Sequence, residues 1–181
     1  IKDGLIAGIY DPGEEPEANE IIEAEGLAIL PGAVDMHSHH RQGSEPGFEY
    51  KDTIYTSTQQ CAAGGVTTSV AMPNVNPPPN PLDLLKKQFA IYESDSIVDW
   101  NFNPAPTVND EIPLLAKQGI AAFKIFMVVD TGRNYPHMPG IGVHDHGRLL
   151  EIMQHCAKVN IPLMIHPHAQ ALMDVIEKEF W

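Results

Sequence analysis

Two histidines stand two positions apart in "LPGAVDMHSHHRQG", residues 30–43, with Asp35 before them and Arg41 just after. On an extended strand alternate side chains share a face. His37 and His39 therefore point the same way, and Arg41 continues that face if the backbone stays extended. Met36, Ser38 and His40 point the other way. Two imidazoles at this spacing can reach one cation, a common way of holding Zn2+ through nitrogen. The same spacing also suits hydrogen-bonded histidines at a strand end, and both readings stand. Asp35 shares the parity of His37 but lies deeper in the strand, which favours a supporting role over ligation. His40 reads as a packing residue.

Further chemistry recurs downstream. Lys124 lies inside the apolar run "AAFKIFM". A buried ammonium is costly unless neutralised or paired, so Lys124 either snorkels to a carboxylate or has a functional task. His166 ends the run "PLMIH", with His168 two residues on. Asn74 and Asn76 follow the run "VAM" in "VAMPNVNPPPNP". They read as turn residues before prolines or as amides that hydrogen-bond a ligand. His137, His144, His146, His155 and His168 read as surface or loop histidines, with His168 the strongest exception.

The elements that must position these residues follow from the pattern. Residues 1–30 form a small β element: "IKDGLIAGIYD" carries an Asp-Gly turn between apolar segments, and "NEIIEAEGLAILPG" reads as strand, turn, strand. From Gly32 the texture alternates. "GAVDMHSH" is a short buried strand, followed by a helix from about Asp52 to Ala63 that Gly64 and Gly65 end. "VTTSVAMP" is a strand stopped by Pro73, and "NPLDLLKKQFAIYESD" a helix with Pro81 at its first turn. "IVDWNFNPAP" is a strand, and "TVNDEIPLLAKQG" a helix capped by Thr107 and ended by Gly119. The strand "IAAFKIFMVV", the helix "HGRLLEIMQHCAKVN", the strand "IPLMIH" and the helix "AQALMDVIEKEFW" complete the chain. Five β–α units imply a parallel sheet with helices outside. A barrel is favoured over a doubly wound sheet for two reasons. No Gly-rich phosphate fingerprint follows the first strand, and the polar residues recur at the C-terminal ends of the strands, where barrels build their sites.

Composition narrows the partners. The chain has 181 residues, 43% hydrophobic and 19% charged, with a net charge of −13. That charge opposes a nucleic-acid backbone or an anionic membrane. No apolar run approaches the roughly 20 residues that span a bilayer. The start lacks the pattern of a signal peptide, and Cys61 and Cys156 read as buried thiols of a reducing, cytoplasmic setting.

Between Leu30 and Pro79 the motifs "HSHHR", "EPGFEYKD", "AAGGVTT" and "MPNVNPPP" occur in an order that resembles the dihydroorotase branch of the cyclic amidohydrolases. The resemblance implies a (β/α)8 barrel with a binuclear zinc site. It assigns residues 1–30 to part of a small β-sandwich domain and residues 31–181 to the N-terminal part of the hydrolase barrel. It implies His37 and His39 as ligands of one metal and His166 as a ligand of the second. Lys124 matches the lysine that many relatives carry as a carbamate bridging both metals, although some dihydroorotases bridge with an aspartate. Arg41 and Asn74 match the residues that hold the substrate carboxylate, a task that suits the guanidinium fork. The substrate implied is a cyclic amide bearing a carboxylate, in pyrimidine biosynthesis, and relatives are commonly homo-oligomers. Hydantoinase, dihydropyrimidinase or allantoinase activity is the alternative within the class, and Arg41 argues against uncharged rings. A non-catalytic scaffold is the alternative outside it, and the retained His37, His39, Lys124 and His166 argue against that. The family's sixth-strand histidine and its proton-shuttling aspartate on the eighth strand would fall beyond Trp181. The resemblance thus implies a fragment of a longer protein, inactive by itself, whose catalytic acid–base residue is unknown from these residues.

Overall fold

The structure is a computed structural model that describes residues 1–128 and 140–180. Val129, the end of the fourth predicted strand, and His137 lie outside the described residues. The chain divides into two units, Ile1–Pro31 and Gly32–Trp181.

In the first unit the Asp-Gly signal becomes a turn. Asp3 and Gly4 have φ of 53° and 76°, and Lys2 and Leu5 form an antiparallel bridge across them, the arrangement of a type I′ hairpin turn. A second turn brings the Leu27 N–H to the Ala24 carbonyl at 3.0 Å. The predicted strands around these turns do not form among the described residues. Ile6, Ile9, Ile21 and Ile22 are all exposed, and a lone hairpin with no covered apolar face is marginal in water.

The second unit contains the five β–α repeats. Strands β1 (Ala33–Ser38), β2 (Val66–Ala71) and β3 (Asp99–Phe102) form a parallel sheet in that order. Strands β4 (Phe123–Phe126) and β5 (Leu163–His166) form a second parallel pair. A backbone bond from Lys124 N–H to the Pro104 carbonyl, 3.0 Å, links β4 to the segment just past β3. Helices α1 (Ile54–Ala63), α2 (Leu82–Asp95), α3 (Ile112–Ala116), α4 (His146–Val159) and α5 (Gln170–Phe180) follow the strands in turn.

The helix boundaries have local causes. Thr53 and Thr56 form a reciprocal capping box at the start of α1, and Gly65, at φ 79°, turns the chain out of it. Asp145 caps α4 by accepting from the Arg148 N–H at 2.7 Å, and Asn160 ends it in the left-handed conformation. Thr107 does not cap α3. A 3-10 turn at Asn109–Glu111 comes first. The Thr107 hydroxyl donates instead to the Gly140 carbonyl at 2.5 Å, a partner from far along the chain that propensity cannot anticipate.

The core lies between strands and helices. Ile54, Leu85, Phe102, Phe123, Leu115 and Ile152 are fully buried and belong to one cluster. Each such side chain contributes about 1.5–3 kcal/mol of transfer free energy. β1 departs from the buried strand expected: Val34 is 59% and Met36 45% exposed. It is an edge strand, laddered only to β2 in its sheet. Tyr92 on α2 packs on Trp100 and Phe102 at ring distances of 5.1 and 6.0 Å. Its hydroxyl is buried with no hydrogen-bond partner among the described residues, and burial pushes the phenol pKa well up. Tyr92→Phe is therefore expected to hold or raise stability, by up to about 1 kcal/mol. Chemical denaturation checks this, and a clear loss would mean the hydroxyl has a partner.

The two cysteines differ. Cys156 is buried and Cys61 half-buried, and both are free. Burial pushes the Cys156 thiol up to about 11. At pH 8 only about one molecule in a thousand would then carry its thiolate, the reactive form. A thiol reagent at that pH should react with Cys61 in the folded chain and reach Cys156 only after denaturant is added. Rapid reaction of both in the native chain would contradict the packing around α4.

Candidate active site

The end of β1 is built on a slip in register. Asp35 pairs with Ser69 and Ser38 with Ala71, so β1 spends three residues where β2 spends two. Such an extra residue reverses side-chain parity across the slip. Asp35 and Ser38 consequently reach each other: Asp35 Oδ2 accepts from Ser38 Oγ at 2.9 Å, and Oδ1 accepts from the His37 N–H at 2.9 Å. The His37 N–H is the main cause that holds the Asp35 carboxyl below its ordinary range. Asp35 thus does not share a face with His37, contrary to simple alternation. It fastens the strand end from the opposite side. Ser38 shares the helix-facing side with Ala71, a core residue, and this leaves His37 and His39 on the other side. Their rings are 5.3 Å apart. Burial lowers the His37 pKa, the nearby positive charge of Lys124 adds to it, Asp35 opposes it, and His166 lowers it further.

His40 returns to the helix side and is 2% exposed. Its Nδ1 meets Ser57 Oγ on α1, and its Nε2 meets Ser69 Oγ on β2 at 2.7 Å. Its ring stands edge-on to Tyr92 at 5.7 Å. Both ring nitrogens are thereby engaged in the packing of three elements.

Arg41 does not continue the strand. It has φ 65°, and its side chain is half-buried, with Nη1 buried and without a hydrogen-bond partner among the described residues. Burial pulls its pKa down from the ordinary value. Asn74 is buried just past β2. Asn76 has a structural task. Its Nδ2 donates to the Pro46 carbonyl at 2.6 Å, and its own carbonyl accepts from the Glu45 N–H at 3.0 Å. A Cβ on Gly43 would lie 2.0 Å from that carbonyl oxygen, so the two loops can approach only over a glycine.

On β4 and β5 the register pairs Lys124 with Met164 and Phe126 with His166. Phe123, Ile125, Leu163 and Ile165 join the core cluster, which leaves Lys124 and His166 on the opposite face. Lys124 is 2% exposed. Its Nζ lies 4.8 Å from the Phe126 ring centre, and burial lowers its pKa. No carboxylate pairs with it among the described residues. The His166 ring lies 5.7 Å from that of Phe126. Among the described residues no group of three or more His, Cys, Asp or Glu side chains could hold a metal ion. The structure therefore joins His37 to His39, brings the charges of Lys124 and His166 to bear on His37, and does not close a three-ligand cluster.

Residues that sequence reasoning passed over also appear. Asn103, one residue past β3, is fully buried, and both its amide atoms are buried without a partner among the described residues. Its place at a strand's C-terminal end was a visible signal. Gln42, Ser57 and Ser69 gave none, because their roles lie in long-range contacts. A separate groove of about 360 Å³ includes Asn80, Thr107, His144 and Arg148 in its lining and none of the predicted site residues. Its guanidinium is already engaged, by Glu151 at 2.5 Å and the Thr107 carbonyl at 3.0 Å.

With this geometry in hand, known proteins give a consistent picture. Residues 26–111 match the family described as dihydro-orotase-like. The chain is 31% identical over 173 residues to a dihydroorotase of Enterococcus faecalis, covering 96% of this chain and 38% of that protein. It is 32% identical over 181 residues to an allantoinase of Rubrobacter xylanophilus, covering 98% and 38%. Among solved structures, an L-hydantoinase (dihydropyrimidinase) of Arthrobacter aurescens superposes with a TM-score of 0.82 at 25% identity, covering 99% of this chain and 38% of that one. The chain thus spans well under half the length of these relatives. Parallel β–α repeats with their polar residues at the strand ends define an α/β domain of the amidohydrolase class. Within that class, the match to the dihydro-orotase-like family covers residues 26–111, just under half of the chain.

Proposed function

We propose that the protein carrying this chain hydrolyses a cyclic amide whose ring bears a carboxylate, interconverting a dihydroorotate-like ring and its open carbamoyl amino acid. The observation that carries this reading is Arg41, half-buried with an Nη1 that has no partner among the described residues, in a chain of net charge −13. An unpaired, desolvated guanidinium N–H in so acidic a protein calls for an anionic ligand. Asn74, buried past the next strand, is the second residue of the same task. The family resemblance supports both, along with a cytoplasmic location and homo-oligomeric assembly.

Residues 31–181 are read as the N-terminal part of a (β/α)8 barrel and residues 1–30 as part of a small β-sandwich. The all-parallel order and the Lys124–Pro104 link between the sheets support the first. The type I′ turn and exposed isoleucines support the second.

The donors present fit zinc. His37, His39 and His166 offer imidazole nitrogen, and buried Lys124 has no carboxylate to neutralise it among the described residues. As a carbamate Lys124 would lose its positive charge and offer two oxygens. Zinc held there, two ions in the complete site, would polarise the ring carbonyl and lower the pKa of water. The chain's own residues would supply the binding side of the site. Asp35 and Ser38 fix the backbone that carries the two histidines, and Arg41 would orient the ring by its carboxylate.

Arg41→Gln tests the reading. The kcat/KM ratio for dihydroorotate over dihydrouracil should fall roughly 10- to 100-fold, the range for losing a charge-assisted bond. A ratio that stays the same would end the carboxylate assignment. The high structural likeness to an L-hydantoinase favours a second reading, hydrolysis of an uncharged ring, and preference of the native protein for hydantoin or dihydrouracil would establish it.

A further inference from the structure

Arg41 occupies a backbone conformation that its residue type does not favour. Its φ of 65° is left-handed, and the Gln42 N–H turns back to the His40 carbonyl at 2.7 Å. Residues 40–42 therefore make a γ-turn of the rarer, strained kind. Nothing local to an arginine selects this turn, so its surroundings must impose it.

Both neighbours of Arg41 are tied down. His40 is held between Ser57 on α1 and Ser69 on β2, with Tyr92 of α2 against its ring. Gln42 Oε1 accepts from the Ile54 N–H, at the first residue of α1, at 2.8 Å. Its Nε2 donates to Asp95 on α2 at 3.3 Å. Its carbonyl accepts from Gln88 Nε2 at 2.8 Å, and Gln88 is itself 1% exposed on α2. Two helices and a strand thus clamp the residues on either side of Arg41, whose own Nη1 has no partner among the described residues.

We infer that His40, Gln42 and Gln88 are positioning residues that hold Arg41 in its γ-turn and so aim its guanidinium at the substrate carboxylate before binding. The inference rests on the carboxylate reading of Arg41 and adds the source of its precision. The recognition of the ring's charge is set by the packing of α1 and α2 around the residues that flank Arg41. Pre-organisation of this sort improves binding by removing the ordering cost from the binding step.

The test uses the protein carrying the chain, with Gln42→Ala and Gln88→Met made singly and each combined with Arg41→Gln. Each single change should raise KM for dihydroorotate about tenfold, more than it lowers kcat. In the Arg41→Gln background neither should add a further rise, because residues acting through one group are not additive. A kcat loss as large as the KM rise, or full additivity with Arg41→Gln, would overturn the inference. If Arg41→Gln alone leaves KM unchanged, the carboxylate reading fails, and hydrogen exchange of the Gln42 amide then decides the clamp. Exchange at that amide should quicken about tenfold or more in Gln88→Met if the clamp holds the turn. Unchanged exchange would show that the turn needs no clamp.

Discussion

Lys124→Met is expected to abolish hydrolysis while leaving the fold as stable as before, or more so. The two effects have opposite signs because the lysine is costly to the fold. It is 2% exposed in a strand whose four residues are all buried, and burial alone depresses its pKa. An ammonium in that place loses its hydration and, among the described residues, gains an aromatic ring at 4.8 Å and no carboxylate. Methionine has nearly the same reach and no charge, so it relieves the penalty without opening a cavity. Activity should fall by at least about 100-fold, the upper end of what even an outer partner of a metal ligand is worth, and bound metal should fall with it. Activity and metal content report the first effect, thermal unfolding the second. Wild-type turnover would make Lys124 a structural residue, and a marked loss of stability would show that its amine has a firm partner in the fold.

His37→Asn and His39→Asn are expected to cut zinc affinity by about 100-fold or more each, with little change in stability. His37 is exposed and His39 half-buried, so neither contributes much to the core. His40→Asn should do the reverse. It should keep the metal and lose about 1–3 kcal/mol of stability, because Ser69 and Ser57 lose a buried partner. Equilibrium dialysis against zinc and denaturant titration of the three variants separate these roles. Equal metal loss in all three would mean that the slip in β1 does not sort the histidines as described.

The sequence made the repeating part of the fold legible. All five strand–helix units occur where hydrophobic period, glycine stops and prolines placed them, because those signals are local. The start of α3 departs from the local signal, since the Thr107 hydroxyl is drawn to Gly140, 33 residues away. The strands of the first unit were legible only as turns, because a strand also needs a neighbour. At the site, alternation separated His37 and His39 from His40 correctly, yet it misplaced Asp35. The extra residue between Asp35 and Ser38 exists only in the pairing with β2, and no pattern within one strand encodes it. Alternation places Arg41 on the face of His37 and His39 only if the backbone stays extended, and it does not. Its left-handed turn depends on Gln42 and Gln88, whose partners lie 12 to 53 residues off.

The slip in β1 also bears on how this segment can change over generations. Removing one residue between Asp35 and Ser38 would leave the opposite shift between Ala33 and Val34 without its counterpart and exchange the two faces of everything that follows. His37 and His39 would turn into the helix layer, and the residue at position 40 would turn out toward the ligands' place. Insertions or deletions here are therefore tolerable in steps of two and ruinous in steps of one. Length variation among viable descendants of this chain should show that even-numbered habit at this point, and no such restriction in the loop after Arg41.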